Sequence, residues 1–173
     1  MYKKVLSITY LPFKTEETLV FIIHPAYLKQ YNNSWFLFGY NPALEKYDWN
    51  LALDRIVSIK EIRGKYNQNS HVDWNSYFED IMGVTKAANA LIEKITLHFA
   101  KETGKYIEAK PIHGSQKSKW TADNLLEVNL HLIINYEFER FLLSYGDSVK
   151  VLKPKKLVDS IKSRLQNVEK LYS

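Results

Sequence analysis

Asn32-Asn33-Ser34-Trp35-Phe36-Leu37-Phe38-Gly39-Tyr40 is a polar turn signal running into six residues of mostly aromatic and apolar character. Asn and Ser tolerate tight backbone geometry, and large aromatic side chains suit a pleated, half-buried surface, so the stretch reads as a turn followed by a strand. Upstream, Thr18 to His24 is dense in β-branched and aromatic residues, and Val5, Ser7 and Thr9 alternate with Leu6, Ile8 and Tyr10. Downstream, Leu51-Ala52-Leu53-Asp54-Arg55-Ile56 and Val57-Ser58-Ile59 supply a fourth and a fifth strand. Several short strands at close spacing predict a small barrel.

From Gly64 to Val72 the chain turns polar, and a linker is expected near there. Tyr77, Phe78 and Ile81 recur at helical spacing ahead of Gly83, which predicts a short helix over Trp74–Met82 bridging two parts. Beyond it, Ala90 to Phe99 suits either helix or strand. Glu127 to Ile134 alternates as a strand would. Asn135 then offers an N-cap, with Glu137 and Glu139 in the first turn and Gly146 at the far end. Val149-Lys150-Val151-Leu152 reads as a strand, and Pro154 opens a last helix with Leu157, Ile161, Leu165 and Val168 on one stripe. Strand, helix, strand, strand, helix, strand, helix is the order of a split βαβ unit.

Composition narrows the function. The chain has 173 residues, 46% hydrophobic and 25% charged, as in ordinary globular proteins, and its 14% aromatic content argues against disorder. It holds no cysteine, which excludes disulfides, thiolate metal sites and cysteine nucleophiles. His71, His98, His113 and His131 have no i+3 or i+4 partner among themselves, so no metal and no cofactor is expected. Gly-rich phosphate loops, Gly-x-Ser-x-Gly elbows and His-Glu-x-x-His are missing, and a non-enzyme is expected. The apolar stretch from Thr18 to Pro25 is too short for a membrane span, and Met1-Tyr2-Lys3-Lys4 leads into no cleavable leader, so the expected location is cytoplasmic. A net charge of +5 suits an anionic partner.

His24-Pro25-Ala26-Tyr27-Leu28-Lys29-Gln30-Tyr31, the Trp35–Tyr40 run and Leu53-Asp54-Arg55-Ile56 together resemble the signature of the WYL family. Phe78-Glu79-Asp80-Ile81-Met82-Gly83-Val84, Lys110-Pro111-Ile112-His113-Gly114-Ser115-Gln116, Asn135-Tyr136-Glu137-Phe138 and Val149–Pro154 resemble its WCX extension. The resemblance implies an α+β fold: an Sm-like, SH3-type β-barrel over residues 1–72, a linker helix over 73–86 and a ferredoxin-like domain over 87–173. It settles Ala90 to Phe99 as strand. It also implies an effector-sensing module of a bacterial transcription regulator, binding an anionic effector, in some members single-stranded nucleic acid. Members usually bind duplex DNA through an N-terminal winged helix-turn-helix, and none precedes Tyr2 in this sequence. A homodimer is expected, and the rival reading is a protein-interaction or dimerisation module without an effector. Two departures stand out: Asn33-Ser34 replaces the basic residue common before the Trp, and Trp49-Asn50-Leu51 occupies a stretch where members often carry an Arg.

Arg55 is the leading site residue, because a guanidinium forks onto phosphate or carboxylate and stacks on aromatic planes. Its duller role is a pair with Asp54 or with a carbonyl at the barrel rim. Tyr10, Tyr27, Tyr31 and Trp35 are candidate stacking platforms, although the flanks of Trp35 favour burial in the barrel core. Tyr27, Lys29 and Tyr31 share one strand face, an aromatic-basic-aromatic row. His24, held extended by Pro25, either donates to an anion or caps the barrel edge. Lys150, Lys153, Lys155 and Lys156 cluster around Pro154 and either touch DNA or decorate the last helix.

Overall fold

The computed structural model describes residues 3–173 and divides between Tyr77 and Phe78 into two compact units. The fold is α+β, with two antiparallel sheets and three helices. In the first unit β1 (Val5–Tyr10), β2 (Leu19–Tyr31), β3 (Ser34–Asn41), β4 (Lys46–Ala52) and β5 (Ile56–Ile62) form one sheet in the order β4-β3-β2-β1-β5. Alternation puts Leu6, Ile8 and Tyr10 of β1 on one face, paired with Ile23, Phe21 and Leu19 of β2. The core there consists of Ile8, Tyr10, Ile23, Leu37 and Leu51.

β2 runs well past the expected His24. Pro25, which cannot donate to a ladder, is carried at a register shift between Pro25 and Tyr27. The fourth strand lies earlier than expected, starting at Lys46, and Leu53–Arg55 is a 3-10 turn rather than strand. The polar run after β5 is not a free linker. Tyr66 donates its hydroxyl to the Pro25 carbonyl, the Asn67 N–H donates to His24 Nδ1 (2.9 Å), and the buried Asn69 amide donates to the Tyr47 carbonyl (2.6 Å).

The expected helix over 73–86 does not form; the segment is a series of turns. Asp73 Oδ1 accepts the Asn75 N–H at 3.0 Å and its Oδ2 accepts the Ser76 hydroxyl at 2.9 Å, an Asx arrangement that competes with a helix. Trp74 stacks on Tyr27 at 5.5 Å and 10°, and Tyr77 donates to Asp48 Oδ2 at 2.7 Å, both inside the first unit. Ile81 and Val84, which fall in the second unit, are buried, and the Ile133 N–H donates to the Asp80 carbonyl at 2.7 Å. The apolar residues expected on one helical stripe are divided between the two units.

In the second unit β6 (Glu93–Phe99), α1 (Lys101–Ala109), β7 (Lys117–Trp120), β8 (Leu126–Leu132), α2 (Tyr136–Leu143) and β9 (Val149–Lys153) precede α3 (Lys155–Tyr172). The sheet order is β7-β8-β6-β9, every neighbour antiparallel, so β8 separates the two strands joined by α1. Ile95, Leu97, Phe99, Leu126, Val128, Leu130 and Leu132 line one face and pack with Ile107, Phe138, Leu142 and Leu157 from the helices. Asn135 caps α2 as expected, its Oδ1 accepting the Phe138 N–H at 2.9 Å, while its Nδ2 donates to the Met82 and Thr85 carbonyls. α2 stops at Leu143, before Gly146, which opens a second 3-10 turn.

Candidate functional site

Tyr10 ends β1 at a register shift between Thr9 and Tyr10, where β1 meets β5. A bulge bends the strand and re-aims the side chain that follows. The loop beyond β1 folds back, the Leu11 N–H donating to the Arg55 carbonyl at 3.0 Å. This bond fixes the loop against the 3-10 turn that carries Arg55. The Arg55 Cζ therefore lies 5.3 Å from the Tyr10 ring centroid and 4.4 Å from that of Phe13.

Beside this arrangement is a cavity of about 500 Å³ lined by Leu11, Pro12, Phe13, Thr15, Glu16, Asp54, Arg55, Ile56 and Val57. Arg55 Nε is buried and has no hydrogen-bond partner. Among the described residues no carboxylate forms an ion pair with Arg55, although Asp54 and Glu16 line the same cavity. A donor left without an acceptor away from water costs about 1–3 kcal/mol, which an oxygen of a bound molecule would recover. Phe13, whose ring lies over the Arg55 guanidinium, has 82% of its surface exposed.

Of the seven residues singled out from sequence, only Arg55 and Tyr10 are brought together here. His24 is buried in β2, its ring 5.5 Å from that of Tyr40 and 5.8 Å from that of Tyr66. Burial pushes its pKa below the ordinary value, and Nδ1 already accepts the Asn67 N–H, so it fastens the polar segment after β5. Tyr27, Lys29 and Tyr31 share a face of β2 as expected, opposite Phe38, Phe36 and Ser34. The face of Tyr27 is taken by Trp74. Trp35 departs from the expectation of burial: it is 46% exposed at the hairpin end of β3, opposite Gln30 and beyond the buried Leu37. Phe13 was not anticipated from sequence; its one signal is a bulky ring in an otherwise polar loop, Lys14-Thr15-Glu16-Glu17.

The second unit holds a cavity of about 580 Å³ lined by Phe78, Glu79, Asp80, Ile92, His113, Gly114, Ser115 and His131. His113 Nδ1 and Ser115 Oγ are 2.8 Å apart, which suggests a base and a nucleophile. The hydroxyl, however, also donates to the His131 carbonyl (3.0 Å) and accepts the His131 N–H (2.9 Å). With both strand-end groups of His131 engaged, Ser115 pins a turn to β8. Among the described residues no cluster of three or more His, Cys, Asp or Glu could hold a metal, and no helix is long and apolar enough to cross a membrane.

Two family models match the chain: a WYL domain over residues 1–61 and a WCX domain over residues 92–168. Among solved structures, proteasome accessory factor B/C (PafBC) of Arthrobacter aurescens aligns over 92% of this chain at 15% identity, with a TM-score of 0.38. The chain spans 24% of that structure's length. No curated protein matches it.

Proposed function

Because the chain belongs to the WYL proteins that carry a WCX extension, we propose that it is the effector-sensing module of a bacterial transcription regulator, binding an anionic effector at Arg55. We read the first sheet as an Sm-like barrel and the second unit, from its β7-β8-β6-β9 order, as ferredoxin-like. One observation carries the functional reading: a permanently charged side chain lies between two aromatic rings, its Nε buried without an acceptor, beside an open cavity. A phosphate or carboxylate oxygen supplies the missing acceptor, and a planar group between Phe13 and the solvent gains stacking. Short single-stranded nucleic acid provides both.

Fluorescence anisotropy with a labelled oligonucleotide of about five nucleotides tests this. Arg55→Ala removes a charge-assisted bond of about 1.5–3 kcal/mol, so affinity falls roughly 10- to 150-fold at low salt. Equal affinity of the wild type and Arg55→Ala across a salt titration removes Arg55 from the site. A second reading, dimerisation through α3, draws on the exposure of Leu165, Val168 and Leu171 along one side of that helix. Sedimentation of the wild type against Leu165→Lys/Val168→Lys tests it: a dimer that the substitutions dissolve supports this reading, and a monomeric wild type rejects it.

A further inference from the structure

The second sheet has one face packed against helices and one open face, and the open face is rich in lysine. Register puts Lys119 of β7, Glu127 of β8, His98 of β6 and Lys150 of β9 in one row across the open face. The next row runs Lys117, Asn129, Thr96, and beyond it lies Lys94 opposite His131. On the helical side, Lys105, Lys156 and Arg164 each have a carboxylate partner, in Glu102, Glu93 and Glu139. Among the described residues the strands present one carboxylate on the open face, Glu127, already engaged by Lys119 (3.2 Å), His98 (3.3 Å) and Asn129 (3.3 Å). Lys94, Lys117 and Lys150 are exposed and, among the described residues, have no carboxylate partner.

We propose that this open face of β7, β8, β6 and β9 is a second nucleic-acid surface, binding the sugar–phosphate backbone through Lys94, Lys117, Lys119 and Lys150. Lysines two apart on a strand stand about 7 Å apart, and the two ends of one row are about 14 Å apart, so cations cover the whole width of the sheet. The centre presents Thr96, Asn129 and His98, which offer hydrogen bonds but no large aromatic platform. Recognition is therefore of phosphates and not of base identity. The lysine stems lie over the sheet while their ammonium groups stay in water, so each releases counterions when it meets a phosphate.

The test uses the whole chain and a fluorescein-labelled oligothymidylate of about 20 nucleotides, read by anisotropy across a salt titration. Lys117→Ala/Lys119→Ala/Lys150→Ala is expected to weaken binding at least 10-fold at low salt and to flatten the slope of log affinity against log salt by about 2. Lys105→Ala/Lys155→Ala/Lys162→Ala, which removes the same charge from the helical side, is expected to leave the slope nearly unchanged. A duplex of the same length tells which form of backbone is preferred. The idea is overturned if the wild type does not bind, if both triple variants lose affinity equally, or if poly-glutamate competes as well as the oligonucleotide. Arg55→Ala keeps the two sites distinct: loss of binding there alone supports the cavity and rejects this surface, and loss in the open-face variant alone does the reverse.

Discussion

Gly39 stands in β3 opposite Pro25, where the β2–β3 register shifts. A Cβ at this position would be 2.3 Å from the His24 carbonyl oxygen and 3.0 Å from Ile23 Cγ1. Carbon and oxygen ordinarily stay about 3.4 Å apart, so Gly39→Ala must open the β2–β3 ladder by roughly 1 Å. The obstacle is main chain, which no rotamer change can move aside. Relief therefore breaks ladder bonds worth about 1 kcal/mol each and adds packing strain of about 1–3 kcal/mol, for a total loss near 3 kcal/mol. In a unit of this size that lowers the melting temperature by about 12–24 °C. Trp35, Trp49 and Trp74 belong to the first unit and Trp120 to the second, so tryptophan fluorescence during heating, compared with the same trace for Trp120→Phe, follows the first unit's transition. Gly64→Ala serves as the control, since its Cβ would meet the Val5 side chain at ordinary contact distances, 3.4 Å from Cγ2 and 3.9 Å from Cβ. If Gly39→Ala melts together with Gly64→Ala and the wild type, the close approach of β2 and β3 is not what demands glycine there.

Two further outcomes follow from buried groups. Burial lowers the His24 pKa in the folded chain, so the unfolded chain binds the proton more readily. Stability is then complete above about pH 6.5 and declines as pH falls from there toward the lowered folded value, by at most about 1.4 kcal/mol per pH unit. Urea unfolding midpoints between about pH 7.5 and 5 are expected to show this slope in the wild type and to lose it in His24→Gln; a slope that persists in the variant assigns it to another group. In α1, Gly104→Ala improves helix propensity by about 1 kcal/mol, yet its Cβ would lie 2.8 Å from Leu126 Cβ and 3.0 Å from Trp120 Cη2. Packing wins, with a net loss of about 1–2 kcal/mol for the second unit by calorimetry, and a stabilised variant would overturn this ordering.

β1 and β3 were legible because one face of each is buried. β1 alternates because Ile8 and Tyr10 enter a core, and β3 could be read from Trp35 to Tyr40 for the same reason. β4 carries an equally regular signal, Tyr47, Trp49 and Leu51 between Lys46, Asp48 and Asn50, but the apolar pattern continues through Leu53 and Ile56 into a 3-10 turn, which shifts the expected strand too late. The helix expected over Trp74–Met82 fails for a different reason. Periodicity assumes that all apolar residues of a stripe face one core, whereas Trp74 and Tyr77 pack on β2 and β3 of the first unit and Ile81 belongs to the second. The polar segment after β5 misled likewise, since its anchors are hydrogen bonds from Tyr66, Asn67 and Asn69 and no hydropathy pattern records them.

The candidate site was half legible because its parts obey different rules. Arg55 could be chosen from its chemistry alone, and Tyr10 from the strand that ends there. Phe13 could not, because its approach to Arg55 depends on a loop closing through the Leu11–Arg55 backbone bond, a contact between segments far apart in the chain. Tyr27, Lys29 and Tyr31 make a regular row in the sequence, yet the same alternation that aligns them also lets Trp74 occupy the Tyr27 ring. Sequence patterns register side chains that satisfy one another. Arg55 Nε lacks an acceptor and Phe13 is 82% exposed, so this corner of the first unit keeps an unmet donor beside an uncovered ring. Among the described residues four buried side-chain atoms lack a partner, Asn41 Nδ2, Arg55 Nε, Asn69 Oδ1 and Glu137 Oε2; Arg55 is the one that lines the cavity beside Phe13, where a bound oxygen would recover the cost.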